Sequence, residues 1–340
     1  MTNKQDKLPK DSFERITLDS SYGEKITKPS LSFWQDAWLR IRKNKAAIVS
    51  LFILGFILIM AIVGPYMVDH DPYEVKMSHA SLPPKVPGIE KLGVFDGVGK
   101  LGSQTVDLYE MKKVEEYYWF GTDSLGRDLF SRLWKGTQVS LIIAFVAALI
   151  DGVIGVVYGG ISGYYGGRVD DIMQRVVEVL IGIPTLVIVI LMTMIMEDPG
   201  IWSIIIAISI TGWIGMSRIV RGQVLRYKNE EFVLAARTLG ASDRRIIGKH
   251  LLPNLMAIII INMMFTIPTA IFFEAFLSFI GLGLQAPQAS LGTLINDGYK
   301  FIQYQPHILL FPAVLISLLM IAFNLIGDGL RDALDPKMKD

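Results

Sequence analysis

Two carboxylates stand where carboxylates are costly. Asp151 lies inside the apolar run Val139–Ile161 and Glu274 inside Leu255–Phe279, and a charged side chain at that depth costs about 2.5–3.5 kcal/mol on insertion scales. Each must face a partner or a wet cavity. Both are therefore candidates for lining a pore or gate, and both can instead accept a buried hydrogen bond between helices. With Glu178 they could mark the proton or cation pathway of a self-sufficient carrier or channel. Other reactive groupings are missing. The four histidines, His70, His79, His250 and His307, are scattered and form no H-E-x-x-H pair; His70 and His79 share one loop and offer a weak metal site or simply two solvated rings. There are no cysteines, so neither disulfides nor thiolate metal sites are available. Gly99-Lys100 and Gly248-Lys249 both lack the hydroxyl residue that completes a phosphate loop, so the chain is not expected to hydrolyse ATP itself. No G-x-S-x-G elbow is present either. The expectation is no covalent chemistry, no metal and no cofactor.

The elements that position these residues are membrane helices. Of 340 residues, 51% are hydrophobic and 19% charged, too apolar for an ordinary soluble domain. A bilayer core needs about 20 apolar helical residues, and six runs qualify: Ala46–Val63, Val139–Ile161, Val176–Met196, Ile201–Met216, Leu255–Phe279 and Ile308–Ile326. Lysine plus arginine total 33 against 32 acidic residues, so net charge makes no case for nucleic acid. The distribution is informative. Arg218, Arg221, Arg226, Lys228, Arg237, Arg244, Arg245 and Lys249 crowd the loop between the fourth and fifth runs, whereas the next loop carries only Lys300. The positive-inside rule places 218–254 in the cytoplasm, and with six spans both termini as well. The chain divides into a tail at 1–45, a first span at 46–64, an external insertion at 65–137, a membrane core at 138–327 and a second cytoplasmic tail at 328–340. Leu31, Trp34, Trp38 and Ile41 share a helical face in the first tail, giving either a helix along the inner surface or an extension of the first span. That span reads as an anchor rather than a cleaved signal. The insertion is punctuated by Asp71-Pro72, Leu82-Pro83-Pro84 and Pro87-Gly88, then by Gly93, Gly97, Gly99 and Gly102, so it reads as loop-rich. Gly155, Gly159 and Gly163 make a close-packing stripe, and Gly182 and Pro184 interrupt the third span.

The cytoplasmic loop itself has a pattern. Phe232, Ala235, Ala236 and Leu239 fall at i, i+3, i+4 and i+7, one apolar face of a short helix. Gly240 stops it in the left-handed region, Ser242 can cap a second helix whose first turn holds Asp243, and Pro253 closes that helix before the next apolar run.

The order Ala235-Ala236, Gly240, Leu252-Pro253 resembles the "EAA" loop of ABC-importer permease subunits. One departure is Leu234, where the motif usually has glutamate; Glu230 and Glu231 lie close by. Three further stretches resemble the C-type permeases of oligopeptide, dipeptide and nickel importers: Phe120 to Arg132 (FGTDSLGRDLFSR), Leu277 to Gly283 (LSFIGLG) and Asn324 to Pro336. The resemblance covers about 120–336 and implies an all-α, six-span type I ABC importer permease fold in the plasma (inner) membrane. It further implies a homologous second permease, two ATP-binding subunits, an extracellular solute-binding protein and a peptide substrate, with lipid around the spans. Glu231, Phe232, Ala235, Ala236, Leu239 and Gly240 would couple to the ATPase, and Glu274 could meet a peptide amino terminus or the second permease. The competing classes are the ion-driven carrier above and a membrane receptor that senses through the insertion and signals through 218–254.

Overall fold

Long apolar runs form helices because only a helix satisfies its own backbone within lipid. The computed structural model describes residues 33–101, 104–196 and 200–334; Leu31, Gly102, the first 32 residues and the stretch after Leu334 lie outside them. The elements are α1 (Phe33–Ile41), α2 (Lys45–Val63), a hairpin of β1 (Val98–Leu101) and β2 (Gln104–Asp107), and α3 (Leu108–Lys112). The core follows as α4 (Leu129–Tyr165), α5 (Gly167–Ile181), α6 (Thr185–Ile195) and α7 (Ile201–Tyr227). The loop holds α8 (Glu231–Thr238) and α9 (Asp243–Arg245), and α10 (Leu252–Phe279), α11 (Leu291–Tyr299) and α12 (Pro306–Leu334) complete the chain.

Five helical stretches among the described residues are long and apolar enough to cross a membrane, and the pair α5–α6 makes a sixth span bent by 79°. The bend falls at Gly182-Ile183-Pro184, where proline removes a backbone donor. Helices also outrun the apolar runs that announce them. α4 starts at Leu129, ahead of Val139, because Asp128 accepts a hydrogen bond from the backbone N–H of Ser131 and caps it. α12 continues to Leu334, past Gly329, which abuts Ala47 of α2. α1 packs against α12, with Ala37 buried and Trp38 half-exposed.

The spine of the bundle is the α4–α7 pair. A Cβ on Gly155 would lie 2.8 Å from the Trp213 carbonyl oxygen, and one on Gly163 2.8 Å from that of Arg221. The glycine stripe thus lets two backbones touch, gaining dispersion contacts where lipid supplies no hydrophobic drive. Around this seam, Ala144, Ala147, Ile205, Ile271, Leu319 and Phe323 build the main core.

The insertion is loop-rich, and it folds as a small lobe. Leu82, Tyr109, Val114 and Tyr118 form its own core, and β1 pairs antiparallel with β2. Glycines within and beside the strands hid their alternation. The 120–132 signature fastens this lobe to the bundle. Arg127 donates to Asp123 at 2.6 Å and lies 3.6 Å from Asp297 of α11, while Arg132 donates to the Pro72 carbonyl.

A titratable cluster closes the lobe. The Tyr118 hydroxyl donates to Glu116 at 2.7 Å and so accepts from Nδ1 of His79, also at 2.7 Å. Burial holds His79 below its ordinary value of 6.5, against the pull of Glu116. Burial opposes the shift at Glu116, but hydrogen bonds from Tyr118 and Lys76 still leave that carboxyl below its ordinary value of 4.5. In both groups the unfolded state binds more protons, so both contributions are present at neutral pH and are lost on acidification. Amide-exchange protection within 70–128, taken relative to the intrinsic rate at each pH, is expected to be highest at pH 7–8 and to fall as pH drops through about 6.5 and again below about 4.5. Glu116→Gln should blunt the second step; protection that is flat from pH 8 to 4 would contradict this account.

Candidate coupling loop and translocation cavity

At the end of the bundle opposite the lobe, α7 hands the chain to the loop. α8 follows Glu230, and Gly240 turns the chain at φ +78°, a conformation that costs glycine no steric penalty. Packing sets which face is buried. Val233 is fully enclosed and Ala236 is 8% exposed, both against Ile246, Leu251 and Tyr164, whereas Leu239 is 88% exposed and Phe232 and Ala235 also face outward. Ala236 is therefore a seat for the helix and not part of its outer face, because Val233 and Ala236 at i, i+3 fill the space beside the π-turn. Leu234, at the position of the family glutamate, is exposed as well.

Two further expectations are corrected. Ser242 occupies the N-cap position of α9 without a side-chain capping bond; the short helix is held instead by Tyr164, whose hydroxyl donates to Asp243 at 2.7 Å. Nor does Pro253 end a helix. A π-helical turn over Ile246–Leu251 precedes Pro253, which stands in the first turn of α10 and so begins a helical segment rather than ending one. Helix therefore runs without a loop from Asp243 to Phe279.

One ion pair locks the base of the loop. Arg221 of α7 donates from Nε and Nη2 to the two oxygens of Asp170 of α5, at 2.6 and 2.5 Å, and Ser162 of α4 donates to the same carboxylate. Three helices meet at one bidentate contact. Asp170→Asn should cost about 1.5 kcal/mol and expose α5 to protease first; an unfolding midpoint in detergent equal to wild type would contradict this.

Deeper in the membrane a cavity of about 390 Å³ opens between α7 and α10, with Asp151 of α4 and Thr185 of α6 completing its wall. Asp151 sits about 20 Å from the C-terminal end of α4, from the helical rise. Gly212 makes room for it: a Cβ there would overlap the carboxylate. The residue is 4% exposed, and its Oδ1 has no hydrogen-bond partner. A second hollow of about 520 Å³ continues toward the loop, sharing Ile219, Asn262 and Phe265 and reaching Gln223 and Arg331.

Glu274 is elsewhere. It is fully enclosed, accepting from Ser140 of α4 and Ser278 of its own helix at 2.8 Å each, and it lines neither hollow. Ser140 and Asp151 are about 16 Å apart along α4. Glu178 is exposed and paired with Arg175 at 2.6 Å. The three carboxylates are thus dispersed and form no continuous path. The polar wall of the cavity went unread in the sequence, although Asn262, Thr266 and Thr269, at i, i+4 and i+7 of an apolar run, are a polar helical stripe that marks it.

A glycine-seamed helical spine, an intramembrane cavity and a protruding amphipathic loop define a membrane permease subunit. Comparison with known proteins gives the family. Residues 155–340 match the family described as binding-protein-dependent transport system inner membrane component, and residues 32–84 match the N-terminal TM domain of oligopeptide transport permease C. The chain belongs to that permease family, in its C-type branch. It is 49% identical to the dipeptide transport system permease protein DppC of Bacillus subtilis, over 93% of this chain and 89% of that one. It is 46% identical to the oligopeptide transport system permease protein OppC of the same organism, over 98% and 99%. A solved inward-facing structure of the MetNI methionine ABC transporter aligns with a TM-score of 0.48 at 21% identity, over 59% of this chain and 95% of that one.

Proposed function

We propose that this chain is a transmembrane subunit of an ATP-driven importer, moving dipeptides or oligopeptides that an external solute-binding protein delivers. The observation that carries it is the near full-length similarity to permeases named for dipeptide and oligopeptide transport. The subunit works beside a homologous second permease and two ATP-binding subunits, which supply the hydrolysis. The basic loop 218–254 and both termini face the cytoplasm by charge asymmetry, and the lobe faces outward toward the binding protein. Phe232, Ala235 and Leu239 are the apolar surface offered to an ATP-binding subunit, framed by Glu231 and Gly240 and seated by Val233 and Ala236. Closure of the ATP-binding pair moves α8, and the spans reorient the cavity between the two sides.

Uptake of a labelled oligopeptide tests this in cells carrying the intact system and in cells lacking the ATP-binding subunits. Accumulation should occur only in the former. Equal uptake in both would overturn the reading and return the chain to the class of self-sufficient carriers.

A further inference from the structure

Along α10 the polar side chains of the cavity have donated protons to their own helix. Thr266 Oγ1 donates to the Asn262 carbonyl at 3.0 Å and Thr269 Oγ1 to the Phe265 carbonyl at 2.9 Å. Asn262 donates through Nδ2 to the Ile258 carbonyl at 2.7 Å. A hydroxyl has one proton to give and a carbonyl can only accept, so what the two threonines have left for the lumen is lone pairs; Asn262 likewise keeps its whole Oδ1. Asp151 adds a carboxyl group, acceptor-only when ionised, that is nine-tenths buried and whose Oδ1 is unpartnered. Among the described residues of the wall, Asp151 is the single charge.

We propose that this cavity binds an organic ammonium group of a peptide in transit, with Asp151 as its counter-ion. The proposal rests on the peptide-import reading above and names the part of the peptide that the site takes. A protonated amine presents N–H donors and no acceptor, which matches the acceptors left on Asp151, Thr266 and Thr269. The rings of Phe265 and Phe273 line the same space and can face a cation with their negative π-surfaces. A peptide carboxylate meets a like charge at an ionised Asp151 instead. At about 390 Å³ the cavity falls within the range of small-ligand sites, and a desolvated carboxylate without a cationic neighbour gains most from a cation that arrives. The shared chemistry is the ammonium, whether from the peptide amino terminus or from a lysine side chain.

The chain has no cysteine, so Thr269→Cys creates one thiol on this subunit, at an exposed position of the cavity wall. In the complete transporter, protection of that thiol from a maleimide is measured with trialanine, N-acetyltrialanine and N-acetyl-Ala-Lys-Ala. Trialanine should protect at concentrations about tenfold lower than N-acetyltrialanine, the size of one charge-assisted hydrogen bond. Adding Asp151→Asn should abolish that preference, and adding Thr266→Val should reduce it partway, which keeps the test decisive if the aspartate variant fails to assemble. Protection by the lysine peptide assigns the ammonium to either source; its failure assigns the amino terminus alone, and both results uphold the site. Equal protection by the free and acetylated trialanines, protection by neither, or a preference that survives Asp151→Asn would overturn it. Uptake without the ATP-binding subunits would instead overturn the import reading while leaving the protection result standing.

Discussion

Aspartate at both Phe232 and Leu239 is expected to lower peptide uptake by at least tenfold, with the protein still assembled in the membrane. The reasoning is local. Leu239 is 88% exposed and Phe232 lies on the same outward side of α8, so charges there meet water in the free subunit and change its stability by about 0.5 kcal/mol or less. In the proposed complex the same side chains are covered. Burying one leucine or phenylalanine is worth about 1.5–3 kcal/mol, and interfaces concentrate their energy in a few such anchors. Two lost anchors and two desolvated charges therefore exceed the roughly 1.4 kcal/mol of a tenfold change. Co-purification with the ATP-binding subunit should fall in parallel. Normal uptake by the double variant would remove α8 as the coupling element. Ala236→Glu is a poorer probe, because it forces a carboxylate into the core beneath the helix and damages the loop whatever docks on it.

Leucine at Gly159 is expected to abolish assembly of the subunit. A Cβ there would overlap the Ser217 carbonyl oxygen and lie 3.0 Å from the Arg221 amide nitrogen, both backbone atoms of α7. Backbone cannot step aside as a side chain can, so the helices must separate along the whole seam from Gly155 to Gly163. The cost should reach about 3 kcal/mol, the upper end of ordinary overpacking. Gly160 supplies the contrast. Its nearest neighbour would be an Ile247 methyl at 3.9 Å, so Gly160→Ala should leave the unfolding midpoint in detergent within a degree or two of wild type. Similar behaviour of the two variants would show that the seam is not the structural spine.

The sequence revealed most of the helical frame, the glycine seam and the break at Gly182–Pro184, because lipid imposes rules that a single chain displays openly. Run length sets a span, small residues at four-residue spacing set a close approach, and proline sets a bend. Three things stayed hidden. Which side of α8 is buried depends on the π-turn at Ile246–Leu251, and no propensity distinguishes a π-turn from an α-turn before Pro253. The lobe's hairpin was masked by glycines that strands ordinarily avoid. Asp151 and Glu274 looked alike in one dimension, since each is a lone acid in an apolar run; only the neighbours separate them, three helical turns along α4, as a cavity wall on one side and a serine-lined knot on the other.

The unbroken helix from Asp243 to Phe279 has a mechanical consequence. Asn262, Thr266 and Thr269 ride on the same helix as the turn beneath α8, about 16 to 27 Å along it from Leu251, with no loop between and with Pro268 inside the stripe. A rod transmits torque as well as thrust. Rotation of its lower end by one residue's worth of helix, about 100°, would carry the acceptor stripe off the cavity and bring an aliphatic face in its place. A transporter built this way can change how strongly it holds its cargo in the same stroke that changes which side the cargo sees.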